Sequence, residues 1–155
     1  MTNDEASAGF HETRERDIAS VRRNIASRLA YLHLYQAAGR GMVDRDAEPL
    51  VKALIDDEQE IIRRLASQLR QLGQPVPLEA DDERLLYQFK ARRGTRDRLA
   101  FLRQGLVTAE GWYRAQAGDA GHSPTVRALF AELAEEQLRR IGQVDALLAR
   151  LDQKR

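Results

Sequence analysis

Residues 126–151 read VRALFAELAEEQLRRIGQVDALLARL, and this stretch is the clearest starting point for predicting the fold. Its apolar side chains recur at spacings of three and four, which is the period of one face of an α-helix. That face consists of Val126, Phe130, Leu133, Ile141, Val144, Leu148 and Leu151. Ser123 is suited to cap the helix, and Pro124 is tolerated in its first turn. The stretch therefore predicts an amphipathic helix from about residue 124 to residue 151.

Three further segments have the same period and predict helices over about residues 18–38, 47–72 and 95–117. Gly41 and Gly73 lie just beyond the first two, where glycine readily takes the left-handed conformation that ends a helix. Together the four segments predict an all-α protein.

The order of the segments predicts how they connect. Residues 1–17 are polar and predict a disordered or frayed N-terminal arm. The connector over 74–96 includes DDERLLYQFKARRG, which predicts a short helix that starts at Asp81 or Asp82. Two hairpins with short turns and one long crossover connection describe a four-helix bundle. We therefore expect a single bundle domain over residues 18–155, made of two tandem helical hairpins.

The composition suits one globular domain and excludes several classes of protein. Of 155 residues, 43% are apolar and 32% are charged. Lys and Arg number 25 against 24 Asp and Glu, and this balance argues against a nucleic-acid partner. The absence of cysteine excludes disulfides and thiolate-bound metals. The N-terminus has no apolar signal segment, and no apolar run approaches the roughly 20 residues of a membrane span, so we expect a cytoplasmic location without a membrane partner.

The second half of the sequence repeats the first at an offset of 78 residues, without a gap. Tyr35 aligns with Tyr113, and the segment IDDEQ (55–59) aligns with LAEEQ (133–137). Chance similarity between amphipathic helices is the alternative, but here polar residues match as well. Self-similarity of this kind is typical of duplicated units, so we predict two hairpins related by a pseudo-twofold axis.

The motifs of the second half are A-x-x-x-Y-x-A (109–115) and L-A-E-E-Q (133–137), and the first half carries near copies of both. In these motifs the chain resembles the rubrerythrin branch of the ferritin-like superfamily, over about residues 18–73 and 95–152. The resemblance implies a ferritin-like four-helix bundle. It also implies a di-iron centre, held by one Glu from each of two helices and a Glu-x-x-His from each of the others.

The positions that would hold iron carry other residues. When the tyrosines are matched, the two single glutamates of the family fall on Arg28 and Leu106. A shift of register by one residue supplies no histidine to the Glu-x-x-His motifs. Without the shift, those motifs fall on Gln59 with Ile62 and on Gln137 with Arg140. We therefore expect no metal ligands and no cofactor.

The three histidines, His11, His33 and His122, lie outside these positions. His33 has no partner on its helix, so a surface or packing role explains it better than a catalytic one. His122 lies beside Ser123 and near Asp119, a combination found in nucleophilic catalysis. A polar turn in which Ser123 caps the following helix is the simpler interpretation. We predict no catalytic residue, which favours a protein that is not an enzyme.

The polar residues near the level of the missing metal site predict a buried network instead. A buried guanidinium needs a carboxylate partner, so Arg28 is predicted to pair with Glu58 or Glu136, and Arg140 with another carboxylate. The alternative is that a small rotation of each helix sends these side chains to water. The candidate members are Arg28, Glu58, Gln59, Glu110, Glu136, Gln137 and Arg140.

Two other groups of residues have a structural and a functional interpretation. The basic run KARRGTRDR (90–98) is interpreted as a solvated charge run, since no aromatic platform for nucleic acid accompanies it. Aromatic residues at helical spacing are interpreted as core, with a ligand pocket as the alternative. They are Tyr87, Phe89, Phe101, Trp112 and Tyr113.

The function expected from these observations is that of a metal-free, ferritin-like structural or interaction module. A homodimer is predicted through the apolar residues of the connector, since exposed apolar patches mark interfaces. Those residues are Leu85, Leu86, Tyr87 and Phe89. The alternative function is a metal-dependent oxidase or iron-handling protein with a divergent site of Glu58, Glu110 and Glu136. The sequence identifies no small-molecule ligand.

Overall fold

The computed structural model describes residues 3–80 and 84–154, and within them all regular structure is helical, with no strand. The all-α prediction is therefore confirmed. A single turn of 3-10 helix, Arg45–Ala47, precedes the second helix. The five helices are α1 (Asn3–Ala38), α2 (Glu48–Gln71), α3 (Arg84–Lys90), α4 (Thr95–Ala117) and α5 (Pro124–Gln153).

Local sequence signals account for the helix ends. Gly73 follows α2 with a φ of 76°, in the left-handed region that a residue with a Cβ rarely adopts. At the start of α5, the Ser123 Oγ accepts a hydrogen bond from the Val126 amide at 3.3 Å. Pro124 occupies the first turn of α5, where a backbone N–H has no acceptor within the helix, so proline loses no hydrogen bond there.

Helix α1 begins at Asn3, which corrects the prediction of an arm through residue 17. Tertiary contacts hold this part of the helix. The Arg14 Nη2 donates to the carbonyl of Leu72 at 2.6 Å, and the Arg16 guanidinium pairs with Asp119 at 2.8 Å. Asp17 is only 2% exposed. The polar character of this segment was misleading because Arg14, Arg16 and Asp17 have partners that are distant in sequence.

The long helices pack as two pairs, α1 against α2 and α4 against α5, with additional contacts between α2 and α5. Their apolar side chains form two clusters. The first draws on all five helices and includes Tyr35, Leu54 and Val144. The second draws on the four long helices and includes Ile25 and Ile61. On α1, α2 and α5, polar side chains are buried in sequence between the two clusters, so the core has a polar layer at mid-height.

The connector contributes its apolar side chains to the core more than to the surface. Phe89 is fully buried, and Leu85 and Leu86 are half-buried against the first cluster. Tyr87 is the member of the predicted dimer surface that stays exposed, at 74%. The predicted start of the short helix at Asp81 or Asp82 lies outside the described residues. No described helix is long and apolar enough to cross a membrane.

Candidate functional site

The polar layer contains four charged or amide side chains that are almost completely buried. Arg28 of α1 is 2% exposed, and Glu58 of α2 together with Gln137 and Arg140 of α5 are 0% exposed. Each lies three or four residues from apolar core positions on its own helix, so the helical period directs it inward. Arg28, for example, follows the buried Ile25 by three residues.

Glu58 is the centre of this layer because both arginines pair with it. Its Oε2 accepts a hydrogen bond from the Arg140 Nη2 at 3.0 Å, and its Oε1 lies 3.3 Å from the Arg28 Nη1. Arg140 also donates from Nη1 to the Gln137 Oε1 at 3.0 Å and from Nη2 to the Leu54 carbonyl at 3.3 Å. One carboxylate therefore joins three helices, α1, α2 and α5.

Tyrosine rings enclose the two guanidinium groups. The Arg28 Cζ lies 4.4 Å from the ring centroid of Tyr31 and 5.9 Å from that of Tyr113. The Arg140 Cζ lies 5.5 Å from the ring centroid of Tyr35. A cation over an aromatic face is attracted by the ring quadrupole, more strongly where water is excluded. The rings thus partly replace the water that the guanidinium groups lose on burial.

The layer carries an excess positive charge. Burial acts to lower the pKa of Arg28, but the interactions with Glu58 and with the surrounding tyrosines together raise it, so Arg28 stays charged. Burial also acts against charge on Arg140, where interactions with Tyr35 and Glu58 raise the pKa. Burial raises the pKa of Tyr35, and that of Tyr113 to about 12, so neither phenol supplies a negative charge at neutral pH. Two cations therefore share one anion.

Several polar atoms of the layer have no hydrogen-bond partner within the described part of the chain. They include the Nε and Nη1 of Arg28, the Nε of Arg140 and the Nε2 of Gln137. The hydroxyl of Tyr35 also has no hydrogen-bond partner among the described residues. Native proteins rarely leave such atoms unpaired, because an unsatisfied buried donor costs about 1–3 kcal/mol.

Three of the seven predicted network residues lie outside the layer. Gln59 is exposed on the opposite side of α2 from the core. Glu136 is half-buried and pairs with Arg64 at 3.5 Å and with Arg139 at 3.4 Å. Glu110 is 7% exposed and pairs with Arg114 on its own helix. Arg28 was predicted to pair with Glu58 or Glu136, and it pairs with Glu58. The prediction that Arg140 uses another carboxylate is wrong, because Arg140 shares Glu58 with Arg28.

The burial pattern also corrects the register of the predicted repeat. Tyr35 and Tyr113, which the offset of 78 residues aligns, are both fully buried. On the following helices the buried residue that corresponds to Glu58 is Gln137, one position beyond the aligned Glu136. The chain from the tyrosine to the polar layer is thus one residue longer in the second half of the sequence. A gapless alignment cannot represent such a difference.

The side chains of the layer do not fit the di-iron centre that the family resemblance implies. Among residues 3–80 and 84–154, no group of three or more His, Cys, Asp or Glu side chains is arranged to hold a metal ion. Glu58 is a single carboxylate already paired with two guanidinium groups, which repel a divalent cation at this distance. The two guanidinium groups place positive charge at fixed positions in this layer and offer no coordination sites.

A second buried polar cluster surrounds His122, which is 3% exposed. Its Nδ1 lies 2.9 Å from the Asp17 Oδ1, and its Nε2 lies 2.6 Å from the Gln116 Oε1. The Ser123 amide also donates to Asp17, at 3.2 Å. Both ring nitrogens are therefore occupied, and the serine hydroxyl caps α5. His11 and His33 are exposed. The cluster fastens the first half of α1 to the turn before α5.

Sequence reasoning missed Asp17 and Asn24. Asn24 is 5% exposed, and its Oδ1 accepts a hydrogen bond from the Tyr113 hydroxyl at 2.7 Å. It lies four residues before Arg28, a spacing that places both on one face of α1 and could have identified it. No local signal marks Asp17, because its partners come from the far end of the chain.

Comparisons with known proteins give no family for the chain: no protein-family model matches it, and no curated protein or solved structure is significantly similar to it. The functional interpretation therefore depends on the geometry of the polar layer and on the pockets around it.

Proposed function

We propose that this chain is a metal-free, ferritin-like four-helix bundle that serves as a structural or interaction module. The observation that carries the proposal is that two buried guanidinium groups share the Glu58 carboxylate, at 3.3 Å and 3.0 Å, at the level where such bundles hold metal. A centre that already holds fixed cations has no role in iron chemistry. The two α-helical pairs and the connector between them support the bundle architecture.

The proposed role of the polar layer is to specify how the helices pair. A buried ion pair contributes little net stability compared with an apolar core, but wrong helix registers leave its charges unpaired. Buried polar residues set register and partner in this way in coiled coils. A module of this kind keeps one arrangement of helices while its surface binds a partner.

A second copy of the chain is the partner that we propose, through the connector. Leu78 and Tyr87 are 88% and 74% exposed, which is unusual for large apolar side chains. Two-fold dimers are the commonest assemblies of soluble proteins. Sedimentation at high micromolar concentration should show a dimer that Tyr87→Ser weakens, whereas a clean monomer would contradict this part of the proposal.

The alternative of a metal-dependent oxidase finds less support. Glu58, Glu110 and Glu136, the carboxylates of that hypothetical site, each pair with at least one arginine. A carboxylate in such a pair exchanges its partner for a metal ion only if the displaced guanidinium finds another anion.

Elemental analysis tests the absence of metal directly. The protein should be produced in iron-supplemented medium, purified without chelators and measured for iron, manganese and zinc. We expect no stoichiometric metal. The control variant is Arg28→Glu, Gln137→Glu, Arg140→His, which restores carboxylate and imidazole ligands and should raise the metal content if it folds. A stoichiometric pair of metal ions in the unaltered chain, lost on Glu58→Ala, would overturn the proposal.

A further inference from the structure

A pocket between α1 and α4 leads from the surface to the polar layer. Its volume is about 160 Å³. Arg28 lies at its buried end, and Arg23 is exposed near its mouth. The polar and aromatic residues along it are Asn24, Ser27, Tyr31, Thr108 and Trp112.

The lining is suited to an anion. Two arginines and no acidic residue line the pocket. Ser27 and Thr108 supply hydroxyl groups, and Asn24 has its carbonyl oxygen occupied by the Tyr113 hydroxyl, which leaves its amide group as a donor. Donors without competing carboxylates select a negatively charged ligand.

Arg28 brings a buried positive charge to the inner end of the pocket. The residue is 2% exposed and lines the pocket, and its Nη1 lies 3.3 Å from the Glu58 Oε1. Its ion pair with Glu58 is shared with Arg140, so the layer has one positive charge more than it has negative charges. One bound monoanion would balance this charge.

The size and walls of the pocket decide which anion fits. A cavity of about 150 Å³ in another protein accommodates benzene, so this pocket holds a single aromatic ring. The Trp112 side chain provides an aromatic wall for such a ring. A chloride ion would leave most of this space unfilled. The planar fork of a guanidinium matches a carboxylate better than it matches a spherical ion.

We propose that this pocket binds an aromatic monocarboxylate of about the size of benzoate. The carboxylate pairs with Arg28 and balances the buried charge, and the ring lies against Trp112. The proposed site depends neither on the family of the chain nor on whether the bundle binds metal. The elemental analysis and the binding experiment can therefore fail separately.

The test is a calorimetric titration of the full chain with benzoate, repeated with benzamide and with inorganic phosphate. We expect saturable binding of one benzoate per chain and a change in the fluorescence of Trp112, the only tryptophan. Benzamide, which has the same shape without the charge, should bind at least about tenfold more weakly, because charge-assisted hydrogen bonds are the stronger ones. Benzoate should also raise the melting temperature, since it binds the folded state.

Three variants distinguish loss of benzoate binding from loss of the fold. Arg28→Met should abolish benzoate binding. Thr108→Phe should do the same by filling the mouth of the pocket, without touching the polar layer, and so provides the test if Arg28→Met does not fold. Arg103→Met removes an exposed arginine that pairs with Asp145 outside the pocket, and it should bind benzoate normally. The proposal is overturned if benzoate fails to saturate, if benzamide or phosphate binds equally well, or if folded Thr108→Phe retains full affinity.

Discussion

The shared carboxylate makes Glu58→Gln far more damaging than Arg28→Met, although both substitutions break the same ion pair. Glu58 contacts Arg28 at 3.3 Å and Arg140 at 3.0 Å, and the exposed fraction of all three side chains is 3% or less. Two charges 4 Å apart attract by about 4 kcal/mol at an effective dielectric constant of 20. Glu58→Gln loses two such attractions and leaves two buried cations without an anion.

Breaking one buried pair costs about 3–5 kcal/mol, so we expect Glu58→Gln to cost at least about 5 kcal/mol. That is comparable with the whole stability of a domain of this size, which is about 5–15 kcal/mol. Arg28→Met, in contrast, leaves Glu58 paired with Arg140 and removes the excess charge. Replacing a buried charge by an apolar side chain of similar volume is often neutral or stabilising, so we expect a change of less than about 2 kcal/mol.

Urea denaturation at neutral pH, followed by far-ultraviolet circular dichroism, measures both effects. The double variant Glu58→Gln, Arg28→Met should recover part of the loss caused by Glu58→Gln, because it contains one uncompensated cation instead of two. Arg103→Met serves as the control for removal of an exposed arginine and should leave the denaturation midpoint unchanged. The reasoning is refuted if Arg28→Met destabilises the protein as much as Glu58→Gln does.

Three further predictions concern other parts of the structure. Burial raises the pKa of Tyr113 to about 12, above the value of about 10 of an unfolded tyrosine. The contribution of Tyr113 to stability should therefore be constant below pH 10 and be lost as the pH rises from 10 to 12. Denaturation midpoints across this range measure the loss, which should be smaller in Tyr113→Phe. Gly105→Ala should destabilise α4, because the added Cβ would lie 2.7 Å from the Tyr31 Cε1. The Cβ added by Gly111→Ala meets nothing within 4 Å, so this substitution should stabilise the protein by about 0.5–1 kcal/mol. Equal melting temperatures for the two variants would contradict this prediction. Asp17→Ala removes the carboxylate that holds His122 and the Ser123 amide, so hydrogen exchange should accelerate in the first half of α1 while the rest of that helix stays protected.

Much of the fold could be predicted because its signals are local. The apolar period identified all four long helices, and glycine, serine and proline marked most of their ends to within a few residues. The start of α1 was the exception, since Arg14 and Arg16 are held by Leu72 and Asp119, which a local pattern cannot show. Arg28, Glu58, Gln137 and Arg140 were predicted as members of the polar layer. The geometry of their contacts was not predicted. The carboxylate that the arginines share depends on how each helix is rotated about its axis. A difference of one residue decides whether Glu136 or Gln137 faces the core.

The sequence by itself determined that the chain is helical, where its long helices lie, and that the histidines of a ferritin-like iron site are absent. These properties follow from residue identity and from a period that repeats within one helix. Only the tertiary structure decided that both arginines meet at Glu58, that Asp17 holds His122, and that Arg28 closes a pocket beside Trp112. Each of these depends on side chains from different helices, whose relative rotation is set by packing, and no spacing along the chain encodes that rotation to within one residue.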